Sequence, residues 1–131
     1  MDIYVRSKSV ISLYITKSED AYQNSLESFD AMEQLFEINN VPRFPSRSYE
    51  RYGYFKSDKD RWRDDKDDIW SWKDTTSSDE IIGHNIAFCL ITELIEDAVI
   101  KNSAIKLIKK ITDHIIDNNL YLIDSDGKPT T

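Results

Sequence analysis

The stretch that decides the fold is DEIIGHNIAFCLITELIED, residues 79–97. Its centre, residues 86–91, is an unbroken apolar run that covers every face of a helix, which is typical of a helix surrounded by protein. Polar residues precede this run, with Ser77 at the N-cap position and Glu80 three residues later, the pattern of a capping box. The sequence therefore predicts a buried helix over 79–97 with a polar amino end.

An amphipathic helix is predicted to follow over residues 102–118. One side of it is apolar and the other sides are charged, and the apolar side is formed by Ile105, Ile108, Ile111 and Ile115. This spacing indicates one buried face and one wet face. A short connection at 98–101 makes residues 79–119 a helical hairpin, with the enclosed helix inside and the amphipathic helix outside.

The amino-terminal segment, residues 1–40, is interpreted as a first helical hairpin. Its second helix is predicted over 19–38, with Ser18 as N-cap and an apolar stripe formed by Tyr22, Leu26, Phe29, Met32 and Phe36. The preceding segment, 3–15, also suits a helix, although its β-branched residues leave a strand possible.

Residues 41–78 are predicted to form a long loop. Mixed charges over 58–68 favour a solvated loop, but all three tryptophans lie within 62–72, and disordered linkers rarely carry so many aromatic residues. Residues 120–131 form a β-hairpin-like tail in this interpretation, with an Asp-Gly turn at 126–127. A calcium loop using Asp124 and Asp126 is the alternative, but the remaining ligand positions are missing. The predicted fold is a single all-α domain.

Composition excludes several classes of function. The chain has 131 residues and a net charge of −7, a sign that opposes nucleic-acid phosphates. The longest apolar run is far shorter than the roughly 20 residues of a membrane-spanning helix. No cysteine and histidine spacing indicates zinc, and no cofactor is predicted. The single cysteine, Cys89, is interpreted as a small buried hydrophobic residue.

Candidate catalytic residues lie at the amino end of the enclosed helix. Glu80 and His84 are four residues apart and share a face, and Asp79 lies beside them. Carboxylates and an imidazole in this position suit general acid–base catalysis. The alternative is that these polar residues only cap the helix.

Candidate binding residues lie in the long loop. Arg47 stands among aromatic residues, where it can hold a carboxylate or form a loop salt bridge. Trp70 and Trp72 are expected to project to opposite sides of an extended chain, so that one packs inward and the other offers a flat face to a sugar. Both can instead be hydrophobic plugs without a ligand. His114 is interpreted as a satisfied surface or boundary residue of the outer helix.

Three segments resemble a known group of proteins: NVPRFPSRSY at 40–49, WKDTTSSDEIIGH at 72–84, and DHIIDNN at 113–119 through DGKPT at 126–130. They resemble an uncharacterised group of bacterial, exported proteins similar to the six-hairpin glycosidases. Those proteins are (α/α) toroids of alternating inner and outer helices. The resemblance implies a central glycan-binding cleft, lined here by Arg47, Tyr49, Trp72, Asp79, Glu80 and His84.

The resemblance implies a fold class and a function. The fold is an incomplete (α/α) toroid of antiparallel helical hairpins, because a complete ring requires more helices than the four predicted. An uncovered flank of the inner helix would then require self-association or the remainder of a larger helical protein. The expected function is that of a segment of a carbohydrate-active protein, periplasmic or extracellular, although Met1 to Arg6 carry no signal-peptide pattern. A non-catalytic binding or assembly module, or a remnant without activity, is the alternative.

Overall fold

The computed structural model describes residues 3–54 and 56–130, with side chains from Val10 onward. Within these residues the chain forms four helices and three strands. The helices are α1 (Ile3–Thr16), α2 (Glu19–Glu37), α3 (Ser78–Leu94) and α4 (Ala98–Asp117). The strands are β1 (Ser48–Arg51), β2 (Trp62–Asp64) and β3 (Trp70–Lys73), and a short 3-10 helix, Lys59–Arg61, precedes β2.

The fold is mixed rather than all-α, so the predicted toroid of helical hairpins is wrong. The segment predicted as a loop contains an antiparallel sheet in the order β1-β3-β2. Tyr49 lies opposite Trp72 in this sheet, and Trp62 lies opposite Lys73. Aromatic residues favour a pleated, half-buried surface, and this preference accounts for the tryptophans of the segment. Each strand has only three or four residues, too few to show an alternating pattern.

The first described segment forms the helix that was expected, whereas the carboxy-terminal tail differs from expectation. Residues 3–16 form a helix, so the strand alternative is wrong. The predicted terminal β-hairpin is reduced, within the part of the tail that the structure describes, to one bridge between Ile123 and Pro129. Gly127 has a φ of 75°, which a turn residue without a side chain adopts without strain.

The hydrophobic core lies between the helices. α1 packs against α2 and α3, and α4 packs against α3. Phe88 of α3 is fully buried, and its ring lies 5.9 Å from that of Phe29 and 6.1 Å from that of Phe36. This cluster fixes α3 as the central helix.

One face of α3 is open to solvent, so the prediction that protein encloses this helix on every side is wrong. Ile82 is 56% exposed and Ile86 is 48% exposed, and Cys89 is exposed rather than buried. These residues follow the helical spacing of three and four, which places them on one face. No other described element of the chain covers that face.

Helix starts follow the local capping residues. Ser18 caps α2 and Ser77 caps α3, as predicted. Asp97 caps α4 by accepting hydrogen bonds from the backbone N–H groups of Val99 and Ile100. The last helix therefore begins at Ala98, earlier than the predicted 102.

Across the described residues, no helix is both long and apolar enough to span a bilayer.

Candidate functional site

Three segments that are distant in sequence meet at the amino end of α3. The Thr76 hydroxyl donates to the carbonyl of Pro45 at 2.8 Å, and the Thr130 hydroxyl donates to the carbonyl of Thr76 at 2.8 Å. The backbone N–H of Thr75 donates to Asp124 Oδ2 at 2.6 Å. The segments at 40–49, 72–84 and 113–130 are therefore joined at one point.

A cleft of ≈ 700 Å³ opens beside this junction, and we call it the loop cleft. Its described lining holds equal numbers of acidic and basic residues, and several of them pair with one another or with neighbours. Lys73 pairs with Asp58, and Asp74 lies 3.0 Å from Arg63. The lining consists of Arg47, Asp58, Arg61, Lys73, Asp74, Thr75, Ser77, Asp124, Asp126, Lys128, Pro129 and Thr130.

Glu80, the predicted catalytic acid, has both carboxylate oxygens engaged. Oε2 accepts hydrogen bonds from the backbone N–H of Ser77 at 2.7 Å and from its hydroxyl at 3.2 Å. Oε1 lies 3.2 Å from Arg47 Nε, and the Arg47 guanidinium also donates to the carbonyl of Thr75. The side chain of Glu80 is buried. It therefore caps α3 and holds Arg47 against the loop.

The other two predicted catalytic residues lie elsewhere. His84 is 1% exposed, and its ring lies 5.7 Å from that of Phe36 and 5.6 Å from that of Phe88. Asp79 is exposed on the first turn of α3. Neither of these residues nor Glu80 lines the loop cleft or the groove described next.

A larger groove of ≈ 920 Å³ contains the two tryptophans of β3, and we call it the tryptophan groove. Residues two apart in a strand share a face, so Trp70 and Trp72 lie on the same side of the sheet and not on opposite sides as expected. Trp72 is buried and Trp70 is half-buried. The lining consists of Gln34, Glu37, Ile38, Asn39, Asn40, Arg63, Asp64, Asp65, Lys66, Asp67, Ile69, Trp70, Trp72, Ser125 and Asp126.

Two side chains of β1 contact the indole of Trp70. The Tyr49 ring meets it edge-on, with centroids 5.3 Å apart and an interplanar angle of 88°. The Arg51 guanidinium lies 5.8 Å from the indole centroid. These contacts fix the orientation of an aromatic surface that borders the groove.

Polar groups surround this aromatic surface. Asp65 accepts a hydrogen bond from the backbone N–H of Ile69 at 3.0 Å. Asp64 lies opposite Ser71 in the sheet, so its side chain is on the face away from the tryptophans, where it accepts a hydrogen bond from the Ser71 hydroxyl at 2.7 Å. A carboxylate has about four acceptor positions, so these contacts leave further acceptor capacity. Asn39 has a structural role, because its amide donates to Leu35, Phe44 and Ser46.

The predicted calcium alternative has no support in the described part of the chain. No group of three or more His, Cys, Asp or Glu side chains there is arranged to hold a metal ion. The oxygens of Asp124 accept from the backbone N–H groups of Thr75 and Ser125, and Asp126 accepts from that of Lys128. These aspartates shape the turn of the tail.

Sequence reasoning missed Asp74, which lies between the two cavities. It is 6% exposed, and its Oδ2 contacts Arg63 of the tryptophan groove and accepts a hydrogen bond from Ser125 at 3.1 Å. Its partners are 11 and 51 positions away, so no local spacing in the sequence indicates them.

His114 was predicted to be a satisfied surface or boundary residue; both ring nitrogens have partners, but the residue is buried and the sequence did not indicate those partners. His114 is 4% exposed, its Nε2 accepts from the backbone N–H of Ile123 at 3.0 Å, and its Nδ1 donates to the carbonyl of Pro42 at 3.1 Å. Its ring stacks on Phe44 with centroids 4.6 Å apart. His114 therefore joins α4 to the 41–47 segment and to the tail.

A scan against protein-family models, a search of curated proteins and a search of solved structures each found no match to this chain. The geometry of the two cavities is therefore the basis on which a function can be assigned.

Proposed function

We propose that the protein binds glycans in the tryptophan groove, with Trp70 as the surface on which a sugar ring stacks. The supporting observation is a half-buried indole, contacted by Tyr49 and with Arg51 over one face, that borders a groove rich in carboxylates and amides. The volume of the groove, ≈ 920 Å³, lies within the range of about 300–1,000 Å³ that is usual for small-ligand sites.

The chemistry of a pyranose suits this arrangement. Its C–H face is apolar and packs on an aromatic ring, while its hydroxyls at the rim donate hydrogen bonds to carboxylates such as Asp65 and Asp67. Tyr49 and Arg51 already hold Trp70, so little side-chain freedom is lost when a ligand binds.

The charge of the groove selects among glycans. Its five carboxylates, Glu37, Asp64, Asp65, Asp67 and Asp126, face two cations, of which Arg63 is paired with Asp74. Electrostatic complementarity therefore favours neutral or amino sugars and opposes uronates and sulfated sugars.

The proposal is for binding rather than hydrolysis. Glycoside hydrolysis usually needs two carboxyl groups that flank the bond, one of them as the general acid. Glu80 is engaged in capping, His84 lies in the core and Asp79 lines neither cavity, so none of the three predicted catalytic residues is placed to act on a ligand in the groove.

The test is isothermal titration calorimetry, in which a panel of oligosaccharides is titrated into the protein. The panel contains oligomers of glucose, N-acetylglucosamine, glucosamine and a uronate. We expect the neutral or amino oligomers to bind, and Trp70→Ala to weaken binding at least about tenfold. Trp62→Ala is the matched control and should bind as wild type does, because Trp62 lies opposite Lys73, on the loop-cleft side of the sheet.

Circular dichroism verifies that both variants are folded. Absence of binding by any member of the panel would overturn the proposal. Equal affinities for wild type and a folded Trp70→Ala variant would show that the sugar binds elsewhere.

A further inference from the structure

The exposed face of α3 forms a stripe with an apolar centre and acidic ends. We call it the α3 stripe; it comprises Asp79, Ile82, Ile86, Cys89 and Glu93. These positions are three or four residues apart and share one face of the helix. At 1.5 Å per residue the stripe is about 21 Å long.

α4 presents a stripe of matching length that carries lysines instead of carboxylates. We call it the α4 stripe; it comprises Lys101, Ile105, Lys109, Thr112 and Ile116. Ile105 is 49% exposed and Ile116 is 61% exposed. This stripe is about 22 Å long by the same rise per residue.

We propose that the α3 stripe of one copy of the chain packs against the α4 stripe of a second copy. Both stripes expose isoleucines that lose contact with water in such a pairing. The charges are complementary at one end, because an antiparallel arrangement of the two stripes brings Glu93 of one copy next to Lys101 of the other. Lys109 lies near the middle of its stripe and is paired with Asp113 of its own helix.

Pairing of identical stripes is opposed by charge. Two α3 stripes in an antiparallel arrangement place Asp79 of one copy near Glu93 of the other, and two α4 stripes bring lysines together. Like charges in such positions destabilise an interface. If each of two copies pairs its α3 stripe with the α4 stripe of the other, the result is a closed two-fold dimer. If each copy uses its two stripes on two different neighbours, the result is a chain of molecules. The contact between the stripes is the same in both arrangements.

The test uses one charged substitution in each stripe. Sedimentation velocity of the full chain over a wide concentration range should show wild type associating. Ile86→Lys and Ile105→Glu should each be monomeric when alone. Their equimolar mixture should form a one-to-one dimer, because Ile105→Glu retains an intact α3 stripe and Ile86→Lys retains an intact α4 stripe.

The control is Asn24→Lys, an exposed position on α2 outside both stripes, which should associate as wild type does. The pair Ile82→Lys and Ile116→Glu repeats the experiment if a first variant is unfolded by circular dichroism. A wild type that stays monomeric at every concentration overturns the proposal. So does association that both substitutions leave unchanged, or a mixture of folded variants that remains monomeric.

Discussion

At the scale of single residues, Glu80 shows how a candidate catalytic acid acquires a structural role. One carboxylate oxygen accepts from the backbone of Ser77 and the other contacts Arg47. The Arg47 side chain is 44% exposed, so solvent screens its ion pair with Glu80. The hydrogen bond from Ser77 to Glu80 therefore contributes more to the stability of the fold than the ion pair does.

We expect Glu80→Ala to lower the free energy of unfolding by about 1–2 kcal/mol, because it removes one half of the capping box. Urea denaturation measures the loss. Asp79→Asn, one residue earlier and exposed, is the control and should change stability by less than about 0.5 kcal/mol. The structural assignment would be wrong if Glu80→Gln kept full stability but abolished hydrolysis of an oligosaccharide that wild type cleaves.

Interactions between near neighbours were predictable at this scale, and distant ones were not. The capping roles of Ser18 and Ser77 follow from residues three positions away, so the sequence alone indicated them. The partners of His114 include Pro42, which is 72 positions away. No periodic pattern carries that information.

At the scale of elements, helices and strands differed in how far they could be predicted. Each of the four helices was expected close to its position. Apolar residues repeat through α2 and α4 over several turns, and an apolar run after a capping box indicated α3. The spacing in α1 suited a helix but left a strand possible. β1 and β3 pair across more than 15 residues and contain four residues each, so their sequence lacked a readable alternation. The apolar run at residues 86–91 indicated that α3 has an apolar surface, but it did not indicate which neighbouring elements would cover that surface.

His114 anchors α4 to the tail, and its replacement tests that connection. His114→Phe keeps a ring against Phe44 but leaves the N–H of Ile123 and the carbonyl of Pro42 without a partner. We expect a loss of about 2–3 kcal/mol in unfolding free energy. Hydrogen exchange at the Ile123 amide should also accelerate.

Asn102→Ala, an exposed position on the same helix, is the control for this change and should leave both measurements near those of wild type. Unchanged exchange at Ile123 in His114→Phe would show that the tail is held by other contacts.

At the scale of the whole molecule, the fold shifts two carboxyl groups in opposite directions. Hydrogen bonds from Lys73 and then Trp62 lower the pKa of Asp58 from 3.8 to about 2. Burial, followed by repulsion from Asp30 and Glu37, raises the pKa of Glu33 above its usual 4.5. The folded state therefore favours ionised Asp58 and disfavours ionised Glu33.

The pH dependence of two variants should reflect these signs. The folded pKa of Asp58 lies below its unfolded value, so its stabilisation is present above pH 3.8 and is lost as the pH falls through about 2. Asp58→Asn should therefore lower stability at pH 7 and matter little near pH 2. Glu33→Gln should raise stability at pH 7, with the gain disappearing below pH 4.5.

Urea midpoints between pH 7 and pH 2 measure both effects, and each variant serves as the control for the other. Differences from wild type that stay constant across this range in both variants would contradict the assigned signs.

The exposed thiol on α3 has a practical consequence. Cys89 is the single cysteine of the chain and lies one turn from Ile86. A maleimide reagent will therefore label one defined position, without mutagenesis, and the rate of labelling will report whether that helix face is open to solvent or covered. Without a reducing agent, two such thiols can oxidise to a covalent pair, so samples for mass measurements must be kept reduced.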